Sequence, residues 1–137
     1  MSKLIRFGVS IDANLVKKFD DLIKRENYSN RSESIRDLIR EKLIKKEWMS
    51  GTSVAGTITL VYDHHKRELL NVLADIQHDF YHLIISSQHV HLDHNNCLEI
   101  IIVKGRPKEI QDLANRLKAI KGVKHGQLTT ATTGKEL

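Results

Sequence analysis

The spacing of apolar positions changes period several times along the chain. Ile5, Phe7, Val9 and Ile11 alternate with Arg6, Gly8 and Ser10, which predicts a short strand with one apolar face over residues 4–11. Leu15, Phe19, Leu22 and Ile23 then recur at helical spacing behind Asp12, a good N-cap residue. Asn30-Arg31-Ser32-Glu33 has the logic of a capping box, and Ile35, Leu38, Ile39 and Leu43 give a second helix its apolar stripe to near Trp48. Small polar residues at 50–53 mark a linker. A β-branched strand follows over 54–62, then a helix from His64 with Leu69, Leu70, Val72, Leu73 and Ile76 on its buried side. Strands over 83–92 and 97–104 precede a helix opened by Pro107, which carries Ile110, Leu113, Ala114, Leu117 and Ile120. Gly122 stops it before a last strand over 124–130. The order is βαα, then βαββαβ. The fold class is α+β, with a first domain over 1–49, a ferredoxin-like second domain over 54–132 and a polar tail over 133–137.

The two middle strands of the second domain hold the chemistry. His89 and His91 are two residues apart, so in a strand both imidazoles lie on one face. Asp93 to Asn96 read as a tight turn, which brings Cys97 opposite His91 and Glu99 opposite His89. Two nitrogens and a sulfur then gather on one face of a ribbon, a metal site lacking one donor. Imidazole with thiolate suits nickel, copper or zinc far better than magnesium or calcium. The other face carries Val90, Leu92, Leu98, Ile100 and Ile102, and is expected to lie under the two helices. The histidine face would then be covered by a second subunit, placing the metal at an interface. Of the histidines available to complete the site, His78 is preferred. His64, His65 and His94 read as helix-start and turn polarity, and His125 as a strand-opening residue with a structural hydrogen bond; His82, four residues after His78, remains a further candidate.

A lone strand followed by two helices cannot stand alone, because its edges are unpaired and its core is small. Two copies pairing their strands antiparallel would solve both problems, and such a ribbon can enter the major groove of DNA. Arg6, Gly8 and Ser10 would face the bases. The start of the second helix, at Asn30, Arg31 and Ser32, would meet a phosphate. Strand, Asp-capped helix and the run Tyr28-Ser29-Asn30-Arg31-Ser32-Glu33-Ser34-Ile35-Arg36-Asp37 resemble the ribbon-helix-helix DNA-binding family.

Charge agrees with an anionic partner. The net charge is +5, and residues 1–49 hold +4 of it, with 12 Lys or Arg against 8 Asp or Glu. One cysteine excludes an internal disulfide and leaves a thiol for a metal. No apolar run is long enough to span a bilayer and no signal peptide is evident, so a cytoplasmic protein without membrane contact is expected.

The whole pattern, with Gln77-His78, His89-Val-His91 and Cys97-Leu-Glu99 in the second domain, resembles the nickel-responsive transcriptional regulator family, NikR. The resemblance implies a homotetramer in which two DNA-binding dimers flank four ACT-like domains. It also implies one Ni2+ per subunit, held in square-planar geometry by His89, His91 and Cys97 with His78 of a neighbouring subunit. By the same resemblance Glu99 orients a ligand, Tyr62 packs near the site, and Lys66 and Arg67 reach the DNA backbone. Glu33 and Asp37 resemble carboxylates that form an interdomain cation site in some members; an exposed helix face with Glu33 as a cap is the alternative. One departure stands out: the family's groove-facing strand often has threonine where this chain has Gly8, which shifts base readout to Arg6 and Ser10.

The function expected is a non-enzymatic, nickel-responsive repressor of nickel uptake or related genes, which binds a double-stranded operator of two half-sites. Zn2+ and Cu2+ would compete at the site. A constitutive DNA-binding protein with structural zinc, and an ACT-type sensor of a small ligand, are the alternatives. No nucleophile and base stand near an open metal position, and there is no Gly-rich phosphate loop, so a metalloenzyme fits least.

Overall fold

A computed structural model of the chain describes residues 2–137. It divides into two compact units, Met1–Glu41 and Lys42–Leu137, and the division falls inside one long helix.

In the first unit, α1 spans Ala13–Arg25, and its N-cap Asp12 accepts hydrogen bonds from the backbone N–H groups of Asn14 and Leu15. Asn27 ends the helix in a left-handed conformation, φ 64°. The Tyr28 N–H reaches the Ile23 carbonyl at 3.0 Å and the Asn27 N–H reaches that of Lys24 at 3.2 Å, a Schellman closure with asparagine in the usual glycine position. The second helix, α2 (Arg31–Ser50), is capped by Asn30, whose side chain accepts from the Glu33 N–H at 3.0 Å. Glu33 binds the Ser29 hydroxyl at 2.8 Å rather than returning to the cap, so only half of the expected capping box forms.

Within a single chain residues 4–11 form no strand; the strand expected from sequence is one that pairs with a second copy. Their apolar residues are exposed, Phe7 at 69%. The reason is physical: a strand needs a ladder partner, and the described chain offers it none.

Tyr28 donates its hydroxyl to Asp37 at 2.7 Å, and that bond raises its pKa to about 12. The unfolded tyrosine ionises near 10, so the contact's contribution to stability is intact below pH ~10 and is lost as the pH rises towards 12. Alkaline unfolding of wild type followed by circular dichroism is expected to show this loss, and Tyr28→Phe to remove that pH dependence.

The second unit is a four-stranded antiparallel sheet in the order β2-β3-β1-β4, with β1 at Val54–Tyr62, β2 at Ile84–His91, β3 at Cys97–Gly105 and β4 at Val123–Thr130. Helices α3 (Arg67–Asp79) and α4 (Pro107–Lys118) cover one face, and a 3-10 turn over Tyr81–Leu83 follows α3. This is the expected ferredoxin-like arrangement. The end of α2 in this unit is fastened to the chain's last segment. The Trp48 indole lies against Gly56, where any Cβ would collide with the Thr129 carbonyl, and donates to the Ala131 carbonyl at 2.8 Å.

The covered face is the opposite of the one expected. Val54, Ile58, Leu60 and Tyr62 of β1 and Cys97, Ile101 and Val103 of β3 are buried together with Leu69, Leu73, Ile110, Leu113 and Leu117 of the helices. Val90, Ile100 and Ile102, expected under the helices, are 44%, 38% and 41% exposed. The run from Cys97 to Val103 is apolar on both faces, so its own period could not choose a side. The choice is made by β1, whose alternate buried residues pair across from Cys97, Glu99, Ile101 and Val103.

Candidate metal centre

The β2–β3 hairpin sets the site. Its turn is held by Asp93, whose carboxylate accepts from the N–H groups of Asn95 and Asn96 and from the Asn96 side-chain amide at 2.8–3.0 Å. The register pairs His91 with Cys97 and His89 with Glu99, as the sequence predicts. One coordinating atom from each of His89, His91 and Cys97 lies within 4.8 Å of the others. Donors bound to one ion by bonds of ~2.0–2.3 Å stand at most about 4.6 Å apart, so small side-chain adjustments close the set. Two imidazoles and a thiolate fit nickel and its neighbours among the later first-row ions.

The three donors differ in surroundings. Cys97 is fully buried between two neighbouring strands, whereas His89 and His91 are exposed on β2, an edge strand. Burial pushes the Cys97 thiol up, the Glu99 carboxylate adds to that, and the Tyr62 hydroxyl pulls the other way.

Behind the donors lies a closed polar network. Tyr62 donates to Glu99 Oε1 at 2.6 Å and Gln77 donates through Nε2 to Glu99 Oε2 at 2.8 Å, so both oxygens of this buried carboxylate are engaged. The Tyr62 pKa is raised, first by burial and then by its bond to Glu99. Gln77 had no role assigned from sequence; its signal was its place one residue before His78. His78 is exposed near the end of α3 and lines a cleft of about 500 Å3 with Gln77, Tyr81, Ser87 and Glu99. It is not part of the cluster formed by His89, His91 and Cys97 within this chain.

The other anticipated residues are placed as follows. Arg6, Gly8 and Ser10 are exposed in the segment without a strand. Asn30 is spent on capping, Ser32 is exposed in the first turn of α2, and Arg31 forms a two-pronged pair with Asp20 at 2.8 Å for both bonds. That guanidinium holds the Asp20 carboxyl below its usual range. Lys66 and Arg67 are exposed at the start of α3. Glu33 and Asp37 are engaged by Ser29 and Tyr28.

Comparison with known proteins gives the family of the chain. The family model for the NikR C-terminal nickel-binding domain matches residues 55–131, and that for ribbon-helix-helix proteins of the copG family matches residues 5–46. A protein of Syntrophus aciditrophicus named "Putative nickel-responsive regulator" is 60% identical over 134 residues, 98% of either chain. Proteins of the same name from Chlorobium limicola and Thermococcus kodakarensis are 57% and 52% identical, each match covering 98% of this chain and 100% and 99% of the relative. An uncharacterized protein of Thermotoga maritima superposes with a TM-score of 0.53 at 16% identity, over 58% of this chain and 98% of that one, a likeness of fold alone. A ribbon-helix-helix segment joined to a NikR nickel-binding domain, over full-length matches of this identity, makes the chain a member of the nickel-responsive regulator family.

Proposed function

We propose that this protein is a nickel-responsive, DNA-binding transcriptional regulator, a repressor whose affinity for its operator rises when nickel is bound. The observation that carries the proposal is the convergence of His89, His91 and Cys97 on the ferredoxin-like unit of a chain that also carries a ribbon-helix-helix segment.

Nickel, when bound, supplies a four-donor link between chains. His89, His91 and Cys97 give three of the donors. His78 of a neighbouring subunit gives the fourth, in a homotetramer built as a dimer of dimers with one ion per subunit. The exposure of His89 and His91 supports completion from outside the chain. Glu99 holds Tyr62 beside Cys97 on one side and Gln77 on the other. Gln77 immediately precedes His78, so the carboxylate connects a subunit's own site to the residue that it lends. The Gln77 bond keeps α3's last turn registered on β3, and the Tyr62 bond ties the same carboxylate to β1. Paired copies of residues 4–11 form the ribbon that enters the major groove, with Arg6 and Ser10 on its base-facing side and Lys66, Arg67 and the start of α2 towards the backbone.

The metal and the operator must favour each other equally, since linkage is reciprocal. A coupling of about 1–3 kcal/mol is expected, a roughly 5–150-fold gain in operator affinity. Titration of labelled operator DNA at fixed salt, with and without Ni2+, measures it; equal affinities would reject the switch.

Tyr62→Phe removes one of two donors to the buried Glu99 carboxylate. A loss of about 1.5–3 kcal/mol in unfolding free energy is expected, together with a ~10–100-fold weaker affinity for nickel. Urea unfolding and a chelator competition read the two separately.

A further inference from the structure

The last turns of α2 are fastened within the second unit, and the fastening lies in the chain's final residues. Helix α2 is continuous from Arg31 to Ser50, and its residues from Lys42 onward belong to the second unit. The half-buried Trp48 packs against the core of that unit, with its indole against Gly56 of β1. Its Nε1–H donates to the Ala131 carbonyl at 2.8 Å, and the Ala131 N–H donates to the Ala55 carbonyl of β1 at 2.8 Å. One residue on, the Thr132 hydroxyl donates to the Glu47 carboxylate at 3.0 Å and accepts from the Gly134 N–H at 3.0 Å. Residues 131–134 thus join β1 to two adjacent side chains of α2. The segment 50–53 lies between Trp48 and Val54, which is fully buried in the core. Both ends of that segment are held by the same unit, so it closes a loop and does not serve as a joint between two units. A movement of the sheet enters α2 instead, where it meets an unbroken run of helical hydrogen bonds.

We propose that Glu47 and Trp48 are positioning residues in the nickel response: clasped by residues 131–134, they carry an ordering of the metal-binding unit into α2 and so to the DNA-binding segment. This role rests on the nickel-dependent DNA binding proposed above. Coupling between distant sites is carried by rigid, contiguous elements, and a loose stretch on the route dissipates it. Without the clasp, residues 50–53 would be that stretch. Gly51 sits there in a left-handed conformation, φ 80°, with open space where a Cβ would point. No apolar pattern announces the clasp. It is made from two backbone groups, one indole N–H and one hydroxyl, in a segment that holds no large apolar residue.

The test compares the full-length protein with two shortened chains, one ending at Thr130 and one at Gly134, and with Trp48→Phe, which keeps an aromatic ring over Gly56 and loses the N–H donor. Three quantities are read on each: nickel affinity by calorimetry, operator affinity with and without Ni2+ at fixed salt, and amide hydrogen exchange of residues 42–53. The chain ending at Thr130 is expected to match wild type in nickel affinity and in nickel-free operator affinity. Its nickel-induced gain in operator affinity is expected to shrink roughly 2–30-fold. Exchange of residues 42–50 in that chain is expected to quicken about tenfold, from the loss of the hydrogen bonds that hold them. Trp48→Phe, which loses one of the two side-chain bonds, is expected to lie between that chain and wild type. The chain ending at Gly134 keeps every contact of the clasp and is expected to match wild type throughout. A full-sized nickel gain in the chain ending at Thr130 overturns the proposal, as does wild-type exchange of residues 42–50 there or an equal loss of gain in the chain ending at Gly134. A merely structural clasp would lower the unfolding midpoint and leave the nickel gain untouched. If the chain ending at Thr130 is poorly folded by circular dichroism, Trp48→Phe decides, and a wild-type gain in it overturns the proposal. Absence of a nickel gain in wild type would overturn the switch itself together with the clasp's part in it, which separates that failure from one confined to the clasp.

Discussion

Cys97→Ala is expected to abolish the nickel response while leaving nickel-independent DNA binding intact. Cys97 is the one cysteine of the chain, and its strand is paired on both sides, so no other thiolate can take its place. Removing a partner that merely orients a ligand weakens metal binding by about 10–100-fold; removing a ligand is expected to exceed the upper end of that range. Calorimetric titration with Ni2+ and the disappearance of the sulfur-to-nickel band measure the loss. The substitution also removes a buried side chain, at a cost of the order of 1 kcal/mol, so the thermal midpoint of the apo variant should fall by only about 3–6 °C. Retention of nickel affinity within tenfold of wild type would move the site away from Cys97.

Phe7→Asp is expected to have the reverse effect. Phe7 lies in the middle of an alternating apolar set that is exposed in the chain described, and the proposed pairing of two copies buries it. An aspartate there places a charge in the core of the paired module, a change costing several kcal/mol unless the module separates. Operator affinity should fall by at least about 100-fold, since a change of 2.7 kcal/mol corresponds to that ratio. Nickel uptake per chain should stay at the wild-type value. Sedimentation at micromolar protein tests the pairing directly, and unchanged operator binding would mean that these residues are not joined as proposed.

Features whose causes are local were legible in the sequence. Asp12 and Asn30 cap helices with their own side chains, Pro107 opens α4, and the Asp93–Asn96 turn fixes the register that sets His91 across from Cys97. Features whose causes lie elsewhere in the chain were not. The helix-covered face of β3 was misassigned because its strand is apolar on both sides, and only the pairing of Tyr62 with Cys97 and of Ile58 with Ile101 decides it. The strand over 4–11 was read correctly as alternation, yet alternation does not make a strand without a second backbone beside it. The Gln77–Glu99–Tyr62 network joins residues 37 and 22 positions apart, and nothing in the polarity of glutamine at a helix end announces a buried carboxylate as its acceptor.

The position of β2 at the rim of the sheet divides labour among the donors. Cys97 sits on a strand clamped from both flanks, so its sulfur is a fixed post. His89 and His91 hang from a strand bound along one flank only, so their rings are arms with some reach. A cage with one stiff corner and two compliant ones discriminates poorly by ionic radius. Choice among rival metals therefore falls to the bond angles each ion itself prefers, and to whichever neighbouring molecule supplies the last corner.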